Sequence, residues 1–192
     1  MFILSIDVGI RNLAYVIVEV VNLDTHRIIK WDVLELIEPD EKAAKVDNTK
    51  IGLSLYKQLD EVLEGHHHLD KILIENQIGQ NAIKMKCIQG MINMYFVMRQ
   101  YDIETIINYN AVHKLKYFLK DAKTTYNERK KKSKEITQCL CKQYYGPEMY
   151  EYYCSFKKKD DLADCLLQAI EFIRKEKKLT DSFYETIYNE MS

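Results

Sequence analysis

Four acidic residues stand where chemistry is possible. Asp7 lies inside the aliphatic run SIDVGIRNLAYVIVEV, two residues before Gly9, and Glu75 ends the short apolar run DKILIE. Asp161 and Asp164 open a late segment of helical pattern, KKKDDLADCLLQAIEF. An ionised carboxylate in a buried strand is costly unless a cation, a proton or a set of donors compensates it. Positions three apart share a helix face, so Asp161 and Asp164 can converge on one ligand. Asp160 also fits this geometry, four residues before Asp164, though it follows Lys157–Lys159 and suits a helix cap. If neighbouring strands set Asp7 beside Glu75 and the helix supplies the other acids, the cluster repels itself and requires cations. Hard oxygen ligands favour Mg²⁺, with Mn²⁺ able to substitute. Two such ions about 4 Å apart activate water and stabilise a leaving oxygen in phosphodiester hydrolysis.

A second feature is basic. Between Lys114 and Lys134, nine Lys or Arg residues stand against two acids, a net of +7 in a chain whose formal charge is −1. Lys120, Lys123, Arg129, Lys130, Lys131, Lys132 and Lys134 belong to this run. Such density attracts phosphates and makes binding salt-dependent whatever the global sum, although a lone charge run also fits a solvated helix face.

The elements that must position these residues follow from periodicity. Phe2–Val8, Leu13–Val21 and Arg27–Ile37 read as three strands joined by short polar breaks, hence an antiparallel meander. A helix from Ile51 to Gly65, a buried strand Asp70–Glu75, a long helix Asn81–Tyr101 and a short strand Glu104–Asn108 come next. Ala111–Leu119, Asn127–Tyr144 and Asp160–Lys177 are helical in pattern. The order predicts a mixed α/β sheet, antiparallel on one side and parallel on the other.

Hydrophobic residues at 47% and charged residues at 30% describe a soluble globular chain. No apolar stretch reaches the roughly 18 residues of a membrane span, no basic leader precedes the first strand, and no membrane partner is expected. Five cysteines without framework spacing fit a reducing intracellular compartment; Cys139 and Cys141 diverge on a helix, and His66–His68 lacks usual ligand geometry.

SIDVGIRN, LIENQ, the lysine-rich NERKKKSKE and the KKDDLAD helix start, in that order over Ile3–Ile173, resemble the poxvirus-type Holliday junction resolvases of large DNA viruses. That group is a branch of the RuvC-like nucleases and is similar to the mitochondrial junction resolvases. The resemblance implies an RNase H-like mixed five-stranded sheet over residues 1–178, with 179–192 a C-terminal extension of no assigned role. It also implies a homodimer that nicks four-way or branched DNA symmetrically with Mg²⁺, in recombination and concatemer processing at a viral replication site. By resemblance, Asp7, Glu75, Asp161 and Asp164 are metal ligands, the D-x-x-D spacing selecting Asp161 over Asp160. Lys131 or Lys132 would stabilise the developing phosphorane charge, with Lys120, Lys123, Arg129, Lys130 and Lys134 contacting DNA.

The helix after Glu75 is more apolar than one buried face requires, which agrees with a subunit contact; Met91 and Ile92 are candidate contact positions, and Gly90 suits a close crossing. An actin-like ATPase also places an acid before a glycine turn, but needs two domains and more than six scattered glycines. A non-catalytic nucleic-acid module would leave the carboxylates without a purpose. A related nuclease acting on other branched DNA or on RNA–DNA hybrids is a third alternative.

Overall fold

The computed structural model describes residues 1–22, 25–65, 68–79, 82–110, 114–119 and 124–176. The proposed extension 179–192, Lys120, Lys123, His66 and His67 lie outside the described residues, as does Asn81. Five strands, β1 (Phe2–Asp7), β2 (Asn12–Val20), β3 (His26–Glu35), β4 (Lys71–Glu75) and β5 (Ile106–Tyr109), form one sheet in the order β3-β2-β1-β4-β5. The first three strands are antiparallel, while β4 and β5 run parallel to β1.

The β1–β2 turn depends on Gly9. A Cβ at that position would stand 1.8 Å from the Asn12 carbonyl oxygen, so a side chain cannot be accommodated without moving backbone.

Helices cover both faces. Against one pack α1 (Asn48–Leu63) and α2 (Ile83–Met98), through Ile51, Leu55, Leu59, Ile88, Ile92 and Phe96. Against the other pack α6 (Lys159–Lys175), whose Leu162, Leu166, Ala169, Ile170 and Ile173 are fully or almost fully buried, and α4 (Tyr126–Leu140) over it. α4 begins with a reciprocal Thr125–Glu128 capping box.

Several expectations need correction. The helix expected over Ala111–Leu119 is, within the described residues, one turn, α3 (Lys116–Leu119). The helix expected to reach Tyr144 ends as α-helix at Leu140 and widens into a π turn over Cys141–Tyr145. Gly146, at φ 94°, then reverses the chain into α5 (Pro147–Ser155), which the periodicity did not mark. Asp160 is not the cap of α6: that position is Lys158, and Asp160 lies in the first turn. Ile92 is fully buried in this chain's own core and Met91 packs beside Gly52, so neither leads an outward contact. Among the described residues, no atom outside its own helix backbone and chain neighbours lies within 4 Å of where a Gly90 Cβ would be, so the close crossing expected there is not made by them.

Candidate active site

Parallel pairing brings Ile6 opposite Ile74, so the next residues, Asp7 and Glu75, emerge together at the carboxyl ends of β1 and β4. α6 is fixed over that edge by polar contacts inside the core. The buried Gln168 side-chain amide donates to Ser5 Oγ at 3.1 Å, Ile6 O at 3.3 Å and Leu73 O at 3.4 Å, while Ser5 Oγ donates to Cys165 O at 2.8 Å. Trp31 Nε1 donates to Leu162 O at 3.1 Å, and its ring stacks on Tyr153. These contacts tie α6 to β1, β4 and β3, and Asp164, one turn before Gln168, reaches the acids of the sheet edge.

At the meeting point stands a residue that motif reading missed. Lys114, 5% exposed, donates from Nζ to Asp7 Oδ1 at 2.8 Å and Glu75 Oε1 at 2.9 Å, with Asp164 Oδ2 at 3.6 Å. Its sequence signal was available only as one cation in the basic run, where exposure was the expectation. The adjacent Leu115 is buried in the core and holds the backbone of Lys114 inward.

The outer oxygens of two carboxylates are also clamped. Ser133 Oγ, buried on α4, donates to Asp164 Oδ1 at 2.8 Å, and Gln77 Nε2 donates to Glu75 Oε2 at 2.8 Å. Gln77 is in turn held through its backbone N–H by Gln89 Oε1 at 2.9 Å.

Electrostatics follows from three acids facing one ammonium. Burial pushes the Asp7 carboxyl well above the usual carboxylate range, against the pull of Lys114, and the charges of Glu75 and Asp164 push the same way. At Glu75 burial also opposes ionisation, but Lys114 and the Gln77 amide prevail and hold its pKa down. Burial disfavours the Lys114 ammonium too, yet attraction to Asp7, Asp164 and Glu75 raises its pKa.

Asp161 is separate from this contact set. Burial and then the Asp160 charge raise its pKa, opposed by Lys158 and by a hydrogen bond from Asn12 at the start of β2. Asp160 Oδ2 accepts from Lys130 Nζ at 2.7 Å, an ion pair that joins α4 to the first turn of α6. Lys131 and Lys132 do not reach the carboxylate cluster: both are exposed and face Glu135, at 3.8 and 3.2 Å. The reason is helical phase. Lys130, Ser133, Thr137 and Leu140 form the face of α4 turned toward α6, which leaves positions 131 and 132 rotated away, together with the exposed Arg129 and Lys134.

Among the described residues no group of three or more His, Cys, Asp or Glu side chains is arranged as a metal cage. The donor chemistry nevertheless suits a hard cation. Asp7, Glu75 and Asp164 direct carboxylate oxygens to one point, and that point already holds a positive charge. His68, from the histidine triplet, pairs with Asp70 at 3.2 Å instead.

Three antiparallel strands followed by two parallel ones, with acids at the ends of β1 and β4 and on the last helix against the sheet, make this an RNase H-like fold. Residues 1–176 match the family described as Poxvirus A22 protein, and the chain belongs to that family. An uncharacterized protein of Acanthamoeba polyphaga mimivirus is 28% identical over 160 residues, a match that covers 74% of this chain and 39% of that protein. The chain thus matches less than half the length of this curated relative.

Among solved structures, yeast mitochondrial Holliday junction resolvase Ydc2 aligns with a TM-score of 0.65 at 18% identity, covering 99% of this chain and 86% of that one. Fowlpox virus resolvase with its substrate Holliday junction DNA gives 0.61 at 19% identity, over 92% and 99% of the two chains. Thermus thermophilus RuvC in complex with a Holliday junction substrate gives 0.60 at 17% identity, over 92% and 96%.

Proposed function

We infer that this protein is a structure-selective endodeoxyribonuclease that resolves four-way DNA junctions as a homodimer, using Mg²⁺, in viral DNA recombination and concatemer processing. The observation that carries this reading is the convergence of Asp7, Glu75 and Asp164 on one cation at the ends of two parallel strands, in a chain of the Poxvirus A22 protein family. The fowlpox and Thermus neighbours, solved with junction DNA, supply the substrate class.

In this reading Asp7, Glu75 and Asp164 hold the metal, and Asp161, on the same helix, joins them. Bound Mg²⁺ supplies an activated water and charge stabilisation at the leaving oxygen. Ser133 and Gln77 fix the orientation of the carboxylates, while Arg129, Lys131, Lys132 and Lys134 present exposed charge to phosphates. Lys120 and Lys123 are proposed for the same task from sequence alone.

Two nicks require two sites, and α2 offers a surface for pairing. Ile83, Cys87, Gly90, Met94 and Val97 recur at alternating spacings of four and three, forming one stripe; Ile83, Met94 and Val97 are 77%, 54% and 45% exposed. Met98, 73% exposed, broadens that stripe. A second copy packed along it would give Gly90 the close neighbour that the described residues do not provide. Met94→Glu should therefore shift sedimentation toward monomer while leaving the fold intact.

The decisive experiment incubates the protein with an immobile four-way junction and Mg²⁺ and maps the cuts at nucleotide resolution. Paired, symmetry-related nicks absent from linear duplex are expected. Equal cutting of linear duplex, or no Mg²⁺-dependent cutting, would overturn the assignment.

A further inference from the structure

The carboxylate cluster already holds a cation of its own, one ammonium among three acids. Lys114 Nζ lies 2.8 and 2.9 Å from one oxygen each of Asp7 and Glu75 and 3.6 Å from one of Asp164, with the side chain almost wholly withdrawn from water. The other oxygens of Glu75 and Asp164 accept from Gln77 and Ser133, so the oxygens a cation would use are the ones Lys114 now engages. An Mg²⁺ ion binds oxygen at about 2.0–2.1 Å and would stand where the ammonium stands. Two positive centres cannot share those oxygens at such separations.

We propose that Lys114 is a resident counter-cation that must vacate the carboxylate cluster before a divalent ion can take the same oxygens, so metal loading is a cation exchange. This rests on the reading of these acids as metal ligands. The exchange is a side-chain event. Leu115 remains buried and its carbonyl accepts from Leu119 N–H at 2.9 Å, so the backbone stays anchored while the lysine stem swings. Ser133 and Gln77 keep their grips on Asp164 and Glu75 throughout, and the ligand set does not collapse when the ammonium leaves.

The chemistry also says what assists the exchange. An ammonium leaves three carboxylates more readily when another anion receives it, and a phosphodiester backbone approaching the basic face provides one. Metal and DNA therefore bind cooperatively, because DNA stabilises the displaced lysine and the ion replaces the charge that the acids lose. Without DNA the ammonium keeps hold of the oxygens that the ion would take, and metal affinity is low.

The test measures metal, not cleavage. Free Mn²⁺ is followed by electron paramagnetic resonance in titrations without DNA, for the wild type, Lys114→Met, Lys114→Arg and Asp164→Asn. Lys114→Met should bind Mn²⁺ about tenfold more tightly or better than the wild type, since one competing positive charge is gone, whereas Lys114→Arg should remain weak. Because the methionine variant leaves acids without their internal cation, it should unfold at a lower temperature and recover on adding Mn²⁺.

If that variant does not fold, the wild type still decides the question by ¹⁵N nuclear magnetic resonance. The shielded Lys114 ammonium, identified by its absence from Lys114→Arg, should lose its protected signal as Mg²⁺ saturates the site. Unchanged or weaker Mn²⁺ affinity in Lys114→Met, or an ammonium signal that survives Mg²⁺ saturation, overturns the exchange. The metal-ligand reading survives that result if Asp164→Asn still impairs Mn²⁺ binding. If Asp164→Asn leaves Mn²⁺ binding untouched, both readings fall.

Discussion

The lysine inside the strand-end cluster and the lysines along α4 carry the same charge in opposite settings. Lys114 is 5% exposed and divided among three carboxylates, whereas the side chain of Lys131 is 78% exposed and faces one, Glu135, at 3.8 Å. In the cluster, removing one partner leaves a charge stranded in low dielectric, so each group depends strongly on the others. On α4 water and salt screen each charge, and a single loss costs little. In the proposed function, position relative to solvent, rather than residue type, is what would divide reaction chemistry from substrate attraction.

The hardest break in that contrast is Asp7→Asn. Nicking should fall by about a thousandfold or more while junction binding is kept or tightened, measured by single-turnover cleavage beside a binding titration. Asp161→Asn should give a similarly inactive protein if Asp161 shares the metal. Asp160→Asn should retain most activity, because that residue serves the Lys130 pair. An inactive Asp160→Asn beside an active Asp161→Asn would exchange their roles.

His26 sharpens the comparison by showing burial as the cause of a shift. It is 3% exposed, stacks on Tyr144 and meets the edge of Tyr145, and burial lowers its pKa to about 4 from 6.5. The unfolded chain therefore binds the proton more readily. Stability is fully present above pH 6.5 and is lost as pH falls toward 4, by on the order of 3 kcal/mol. Urea unfolding between pH 7 and 5 should show the decline before most carboxylates titrate, and His26→Phe should flatten it.

A smaller break is Ser133→Ala, which frees one oxygen of Asp164 without removing a charge. The cleavage rate should fall about tenfold and the Mg²⁺ requirement rise, with junction affinity little altered. Smallest of all are Lys131→Ala and Lys132→Ala, each expected to weaken binding a few-fold and lower the salt slope by about one unit, with the rate at saturation preserved. A rate loss with intact binding in either variant would instead support the transition-state role suggested by the family resemblance.

What the sequence disclosed follows from the range of the forces involved. β-branched content marked the first three strands and a short buried apolar run the fourth, and the acid at the end of DKILIE lay beside Asp7 once parallel pairing was inferred. Lys114 was not legible as a site residue, because its partners lie 107, 39 and 50 positions away and only the fold joins them. Nor was the phase of α4: four consecutive basic residues look alike in a string, yet only Lys130 among them turns toward α6. The missed α5 carried a valid start signal, Gly146 followed by Pro147, but its tyrosine-rich content weakened the helical pattern.

Gln168 has a consequence for where this chain tolerates added length. Its amide reads the position of β1 and β4 through Ser5, Ile6 and Leu73, so α6 is indexed to the sheet from a point four residues after Asp164. One residue inserted between them would advance Asp164 by about 1.5 Å and turn it by about 100°, carrying its carboxylate off the cluster even if every core contact beyond Gln168 survived. An insertion in the exposed turn before α6 would leave that indexing untouched. The spacing between those two side chains is thus a fixed gauge, and the loops around it are free to lengthen.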